Sequence, residues 1–218
     1  MVSTKKFRPW KFRAAPAGLL FALALWAGEG SRGYTILVLG DSLTEGYGVE
    51  KENAFPAILE TRLRQSRPDI TVINGGSSGS TSAGGVRRLK WYARMKPDLV
   101  VLALGSNDGL RGVKAAETRR NVDAAIVFGK QRGWKVVLAG LKVPPNYGAE
   151  YAADFESIYP DLAAKHKVPI LPFLLEGVAG EPGLNQTDGI HPNEAGHERI
   201  AENLFLFLEP LISKPNPP

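Results

Sequence analysis

Tyr34-Thr35-Ile36-Leu37-Val38-Leu39 runs without a break into Gly40-Asp41-Ser42-Leu43-Thr44-Glu45-Gly46-Tyr47-Gly48. The first six residues are short, apolar and rich in β-branched side chains, the pattern of a strand buried on both faces of a parallel sheet. Gly40 then lets the chain turn sharply, and a polar Asp-Ser pair falls just past the strand's C-terminal end. In an open α/β sheet that edge is where ligands bind. Ser42 is therefore a nucleophile candidate by position and by type. The same residues also suit an ordinary turn or helix cap, so the stretch alone leaves both readings open.

The pattern then repeats. Phe55-Pro56 opens a helix that continues through Ile58, Leu59, Arg62 and Leu63, with Pro56 tolerated in its first turn. Ile70 to Ile73 reads as a second strand, followed by a Gly/Ser loop over 74–85 and a helix from Val86 to Met95. Asp98 to Leu104 is a third strand, wholly apolar after its first residue and expected at the sheet centre. Ala115 to Gln131 is a helix with Val122, Ala125, Ile126 and Phe128 on its core face. Lys135 to Gly140 is a fourth strand. A proline-bearing loop precedes a helix over Ala149 to His166, in which Pro160 predicts a break. Val168 to Pro172 is a short fifth strand whose prolines place it at an edge. Asn193 caps a last helix to about Leu208. Five strands alternating with helices predict an α/β, three-layer, doubly wound sandwich around a five-stranded parallel sheet of flavodoxin-like type.

The N-terminus differs from the rest. Lys5, Lys6, Arg8, Lys11 and Arg13 precede an almost wholly apolar run over Ala14 to Ala27. A basic head before about fifteen apolar residues fits a secretory signal peptide better than a spanning helix. An uncleaved anchor stays compatible with the sequence, because residues 24–33 hold no clean small-x-small cleavage site. The expected organisation is a signal peptide or anchor over 1–30, one folded domain over 31–212 and a frayed tail over 213–218. Export to the periplasm or medium follows, with membrane proximity through the N-terminal segment. Residues 1–30 hold five Lys/Arg and one acid, which leaves 22 basic and 21 acidic side chains for the remainder, a net charge of +1 out of the +5 of the whole chain. The domain thus lacks the strong positive charge that nucleic-acid binding uses. With no cysteine, disulfides and thiolate metal sites are excluded.

Acyl transfer to a serine needs an imidazole base, a group that orients it, and donors for the oxyanion. Of the three histidines, His166 lies at a helix C-terminus, where a cation suits the dipole. His197 lies inside the last helix as a packing or surface residue. His191 lies in Asp188-Gly189-Ile190-His191-Pro192. There a carboxylate three residues earlier can accept the Nδ1 proton and leave Nε2 as base, although Asp188 alone could equally be a turn residue. The Gly/Ser loop around Gly79 allows close backbone approach to a ligand, or simple flexibility. Asn107, in Gly105-Ser106-Asn107-Asp108, again falls just beyond a strand end.

Together these segments carry a resemblance. Gly40-Asp41-Ser42-Leu43, the Gly79 loop, Gly105-Ser106-Asn107-Asp108 and Asp188-Gly189-Ile190-His191-Pro192, in that order, resemble the four blocks of the GDSL/SGNH hydrolase superfamily. Within it the chain is most similar to the secreted bacterial thioesterase I/lysophospholipase/arylesterase group, a likeness extended by Gly109-Leu110-Arg111-Gly112 and by the stretch from Pro144 to Gly148. The resemblance implies Ser42 as nucleophile, His191 as general base and Asp188 as the residue orienting it. It implies an oxyanion hole from the Ser42 and Gly79 backbone N–H groups and the Asn107 side chain. The loop after Asn107 resembles a mobile segment over the acyl site, and Leu110, Pro144, Tyr147 and Ile190 are candidate lining residues. The implied activity is hydrolysis of acyl esters or thioesters through a covalent acyl-enzyme, with a small-molecule substrate and neither metal nor cofactor. Two alternatives stay beside it: a carbohydrate O-deacetylase of the same fold, and a non-catalytic periplasmic module that binds a ligand.

Overall fold

The computed structural model describes residues 32–212, together with Met1. The expected leader and the tail lie outside these residues. Among the described residues no helix is long and apolar enough to cross a membrane.

Five strands form one parallel sheet: β1 (Thr35–Leu39), β2 (Thr71–Gly75), β3 (Leu99–Leu102), β4 (Lys135–Ala139) and β5 (Ile170–Leu171). Their spatial order is β2-β1-β3-β4-β5, the doubly wound flavodoxin-like order. β3 is central, as its unbroken apolar run predicts, and Leu99, Val100, Val101 and Leu102 are all buried. The helices cover both faces. α2 (Phe55–Leu63) packs on α7 (Glu194–Ile212) over one face, and α5 (Ala115–Gln131) packs between α3 (Gly85–Tyr92) and α6 (Ala149–His166) over the other. Val122, Ala125 and Ile126 face the core as their spacing predicts, whereas Phe128 is half-buried and meets Trp134 edge-on at 5.8 Å.

The differences from expectation concern ends and short elements. α6 runs unbroken through Pro160. A proline there removes one backbone hydrogen bond, and the helix is held by a ring ladder on one side, Tyr151 to Phe155 at 6.0 Å and Phe155 to Tyr159 at 6.1 Å. α7 reaches Ile212, past Leu208, because Pro210 falls in its last turn and Ile212 is buried against the core. Its start is as predicted: the Asn193 side chain accepts the Gly196 N–H at 3.0 Å. The third helix ends at Tyr92 and tightens into a 3-10 turn over Ala93–Met95. β5 is only two residues long, since Pro169 and Pro172 flank it and neither can donate a backbone hydrogen bond. Of two one-turn helices, α1 (Ser42–Glu45) fits the helix-cap reading of the Asp-Ser pair, whereas α4 (Ser106–Leu110) was not expected. Both start directly after a strand, at the edge where the predicted site residues lie.

Candidate active site

The strand register brings four loops to one edge. Ser42 opens α1, which follows β1. The loop over 76–84 follows β2, Asn107 lies in α4 beyond β3, and Asp188 and His191 lie between β5 and α7. Asp41 caps α1, its Oδ1 accepting the Leu43 N–H at 3.1 Å. Burial pushes the Asp41 carboxyl above its ordinary value, opposed by the Leu43 N–H it accepts and by the Arg88 charge.

Ser42 and His191 meet although 149 residues separate them, with Ser42 Oγ 3.0 Å from Nε2 of the imidazole. The other ring nitrogen, Nδ1, lies 2.6 Å from Asp188 Oδ2. Asp188 is fixed in turn, because its Oδ1 accepts the Ile190 and His191 backbone N–H groups, each at 2.9 Å. The His191 ring, then these two N–H groups, hold the Asp188 carboxyl down at about 2. Such a carboxylate stays charged and keeps the proton of the imidazole on Nδ1, leaving Nε2 free to accept from Ser42. The ring of Tyr47, from the α1 side, lies against His191 with centroids 4.6 Å apart. The Gln186 side chain joins these two loops by donating to the Tyr47 carbonyl at 2.6 Å and the Pro192 carbonyl at 2.9 Å.

The loop over 76–84 is rigidly tied despite its Gly/Ser composition. At Gly76 a Cβ would lie 2.1 Å from the Glu45 backbone nitrogen, so only glycine allows the loop this close to α1. Glu45 accepts the Ser78 N–H at 2.6 Å and the Ser78 hydroxyl. Gly79 has φ +72°, the left-handed conformation glycine adopts without cost, and its carbonyl accepts from Arg111 at 3.0 Å. Asn107 Nδ2 donates to the Ser80 carbonyl at 3.1 Å, which engages one amide proton and leaves the second. Arg88 donates to Ser80 Oγ at 2.8 Å and to the Gly40 and Gly75 carbonyls, joining the ends of β1 and β2 to the loop. Buried Asp108 accepts the Ser82 N–H at 2.8 Å and the Ser82 hydroxyl at 2.5 Å, and Asn121 also donates to that hydroxyl, at 2.9 Å.

Of the four expected lining residues, Tyr147 and Leu110 are joined, the Tyr147 hydroxyl donating to the Leu110 carbonyl at 2.8 Å. Ile190 is exposed beside His191, and Pro144 is exposed on the loop that carries Tyr147. Sequence reasoning gave no part to Glu45, Tyr47, Arg88 or Asp108. Glu45 and Tyr47 lie in the opening stretch and Asp108 in the quoted block after the third strand, whereas nothing in the sequence marks Arg88. His166 pairs with Asp123 at 2.7 Å, away from this edge. His197 is fully buried and packs on Phe55, whose N–H donates to its Nδ1 at 3.3 Å.

A parallel sheet in this order, with a hydroxyl, an imidazole and a carboxylate in line at its C-terminal edge, defines a hydrolase of the SGNH class. The family model described as GDSL-like lipase/acylhydrolase matches residues 38–199, and the chain belongs to that family. It is similar to the esterase TesA of Pseudomonas aeruginosa, with 42% identity over 82% of this chain and 89% of that protein. It is also similar to the thioesterase 1/protease 1/lysophospholipase L1 of Escherichia coli K12, with 37% identity over 82% of this chain and 85% of that one. Among solved structures, the psychrotrophic esterase EstA from Pseudoalteromonas sp., inhibited by monoethylphosphonate, superposes with a TM-score of 0.78 at 30% identity, covering 83% of this chain and 99% of that one. The protein is accordingly a hydrolase that acts on ester bonds.

Proposed function

We propose that the protein is an exported serine esterase that cleaves acyl esters and thioesters through a covalent acyl-enzyme on Ser42. The observation that carries this reading is the 3.0 Å separation of Ser42 Oγ and His191 Nε2. His191 takes the Ser42 proton as Oγ attacks the acyl carbonyl, and Asp188 stabilises the imidazolium that forms. The Ser42 and Gly79 N–H groups and the free amide proton of Asn107 receive the oxyanion, where fixed donors are worth most. His191 then returns the proton to the departing alkoxide or thiolate. Water attacks the acyl-enzyme by the same path in reverse. α1 is one turn long, so the donors act as individual N–H groups rather than through a long helix dipole. Leu110, Pro144, Tyr147 and Ile190 are proposed to line the acyl trough, supported by the Tyr147–Leu110 hydrogen bond that closes one wall.

The inhibition of the relative EstA by a phosphonate supports a serine nucleophile here, since phosphonates trap activated hydroxyls. Export is supported by the basic head and apolar run at the N-terminus. A panel of p-nitrophenyl esters and acyl thioesters of graded chain length tests the reading. Turnover of acyl chains longer than acetyl, absent in Ser42→Ala, is expected. Activity confined to acetylated sugars, or retained by Ser42→Ala, overturns it.

A further inference from the structure

The near-neutral domain gathers cations at the N-terminal ends of its strands. The five approaches to β1, β2, β3, β4 and β5 carry Arg32, Arg67, Lys96, Arg132 and Lys167, a cation in each. The only acids in those approaches, Asp69 and Asp98, are already engaged by Arg67 at 3.2 Å and Arg32 at 2.5 Å. Lys96, Arg132, Lys135 and Lys167 have no carboxylate partner among the described residues. The opposite edge, where Ser42 lies, is mixed, with Asp41, Glu45, Glu50, Glu52, Asp108 and Asp188 beside Lys51, Arg88, Arg111 and Lys114.

Three of these cations, with Lys135, line a depression of about 750 Å³ formed by Arg32, Lys96, Arg132, Lys135 and the rings of Tyr34 and Trp134, with Asp98 as the one carboxylate. We propose that this depression and the edge around it form a docking surface for anionic phospholipid, with lipid phosphates on the cations and Trp134 at the headgroup level. Charge complementarity supports it, at about fivefold in binding per Lys or Arg near an anionic leaflet. Chain continuity favours a lipid surface over a nucleic acid. In the sequence only Gly28-Glu29-Gly30-Ser31 separates the apolar run ending at Ala27 from Arg32. A domain resting on this edge presents the Ser42 edge to the aqueous side, and its substrates arrive from solution rather than from the bilayer beneath.

The test is flotation of the full chain with phosphatidylcholine vesicles and with vesicles that also contain phosphatidylglycerol, at low and high salt. Wild type is compared with the triple variant Lys96→Glu, Arg132→Glu, Lys135→Glu. The basic head and apolar run are present in both, so the difference reports the edge. Preference for phosphatidylglycerol is expected to fall by roughly a hundredfold or more in the triple variant and with salt in wild type, while p-nitrophenyl ester turnover is unchanged. If the triple variant does not fold, Lys96→Gln and Lys135→Gln singly are each expected to lose about fivefold. Ser42→Ala is expected to keep the full preference, which separates this inference from the proposed activity. An unaltered preference in the charge variants overturns it. So does release by inorganic phosphate beyond that by chloride at equal ionic strength, or tighter binding to duplex DNA than to the anionic vesicles.

Discussion

The Asp108 carboxylate grips Ser82 twice, through its N–H at 2.8 Å and its hydroxyl at 2.5 Å. This buried clasp joins the residue after Asn107 to the loop that carries Gly79. Two proposed oxyanion donors, drawn from loops after different strands, therefore hold a fixed distance from one another. Asp108 touches no substrate and acts as a positioning residue. Asp108→Ala is expected to lower kcat by about a hundredfold, the scale of a donor displaced by about 1 Å. Loss of the buried partner is expected to lower stability by about 1–3 kcal/mol. A structural role alone would lower stability and leave kcat of the folded fraction intact, and urea melts read beside kcat distinguish the two.

Asn107→Ala removes one donor aimed at the developing charge. The expected loss in kcat is about 10²–10³ with KM little changed, as for other single oxyanion donors. A loss under about threefold removes Asn107 from that role.

Gly76 sets how closely the loop approaches the helix that carries Ser42. The added Cβ of Gly76→Ala meets the Glu45 nitrogen at 2.1 Å and its Cα at 2.4 Å, both backbone atoms. α1 must shift, at a cost of about 1–3 kcal/mol as in other overpacked sites, and kcat/KM is expected to fall with it. Thermal melts and ester turnover check this. Wild-type values for both would show that the loop and α1 are not coupled.

His197 governs stability in mild acid. Burial, then the nearby His191, push its imidazole down to about 4 from the ordinary 6.5. Between those values the unfolded chain binds a proton that the folded one refuses, so stability falls as pH drops from about 6.5 to about 4. The loss is complete below about pH 4 and is bounded by about 3 kcal/mol. The Asp188 carboxylate, held at about 2, has the depressed-acid sign. Its contribution is present above about pH 4 and fades as pH falls through about 2. Urea midpoints measured across pH 4–7 are expected to slope in wild type and flatten in His197→Gln. An equal slope in both assigns the acid sensitivity elsewhere.

Much of this architecture is legible in the sequence, and the gaps have physical causes. α5 shows both its ends and its face because seventeen residues give periodicity room to act. β3 reads as central because Leu99 to Leu104 is apolar at every position. α1 and α4, at four and five residues, are too short to display a period. Pro160 looks like a break locally, but the tertiary packing of Phe155 and Tyr159 overrides it. The pairing of Asp188 with His191 is local and was open to inspection. Arg88, whose contacts reach 48 residues away to Gly40, depends on strand register and leaves no mark in its own neighbourhood.

The central claim is that the Ser42 hydroxyl, activated by His191, attacks the acyl carbon. The most direct measurement is intact and peptide mass spectrometry after exposure to a fluorophosphonate, on wild type, Ser42→Ala and His191→Ala. The account predicts one adduct, on Ser42, absent from Ser42→Ala and much slower in His191→Ala. A wild-type protein that hydrolyses esters yet carries no adduct on Ser42, or one labelled equally fast without His191, would contradict it.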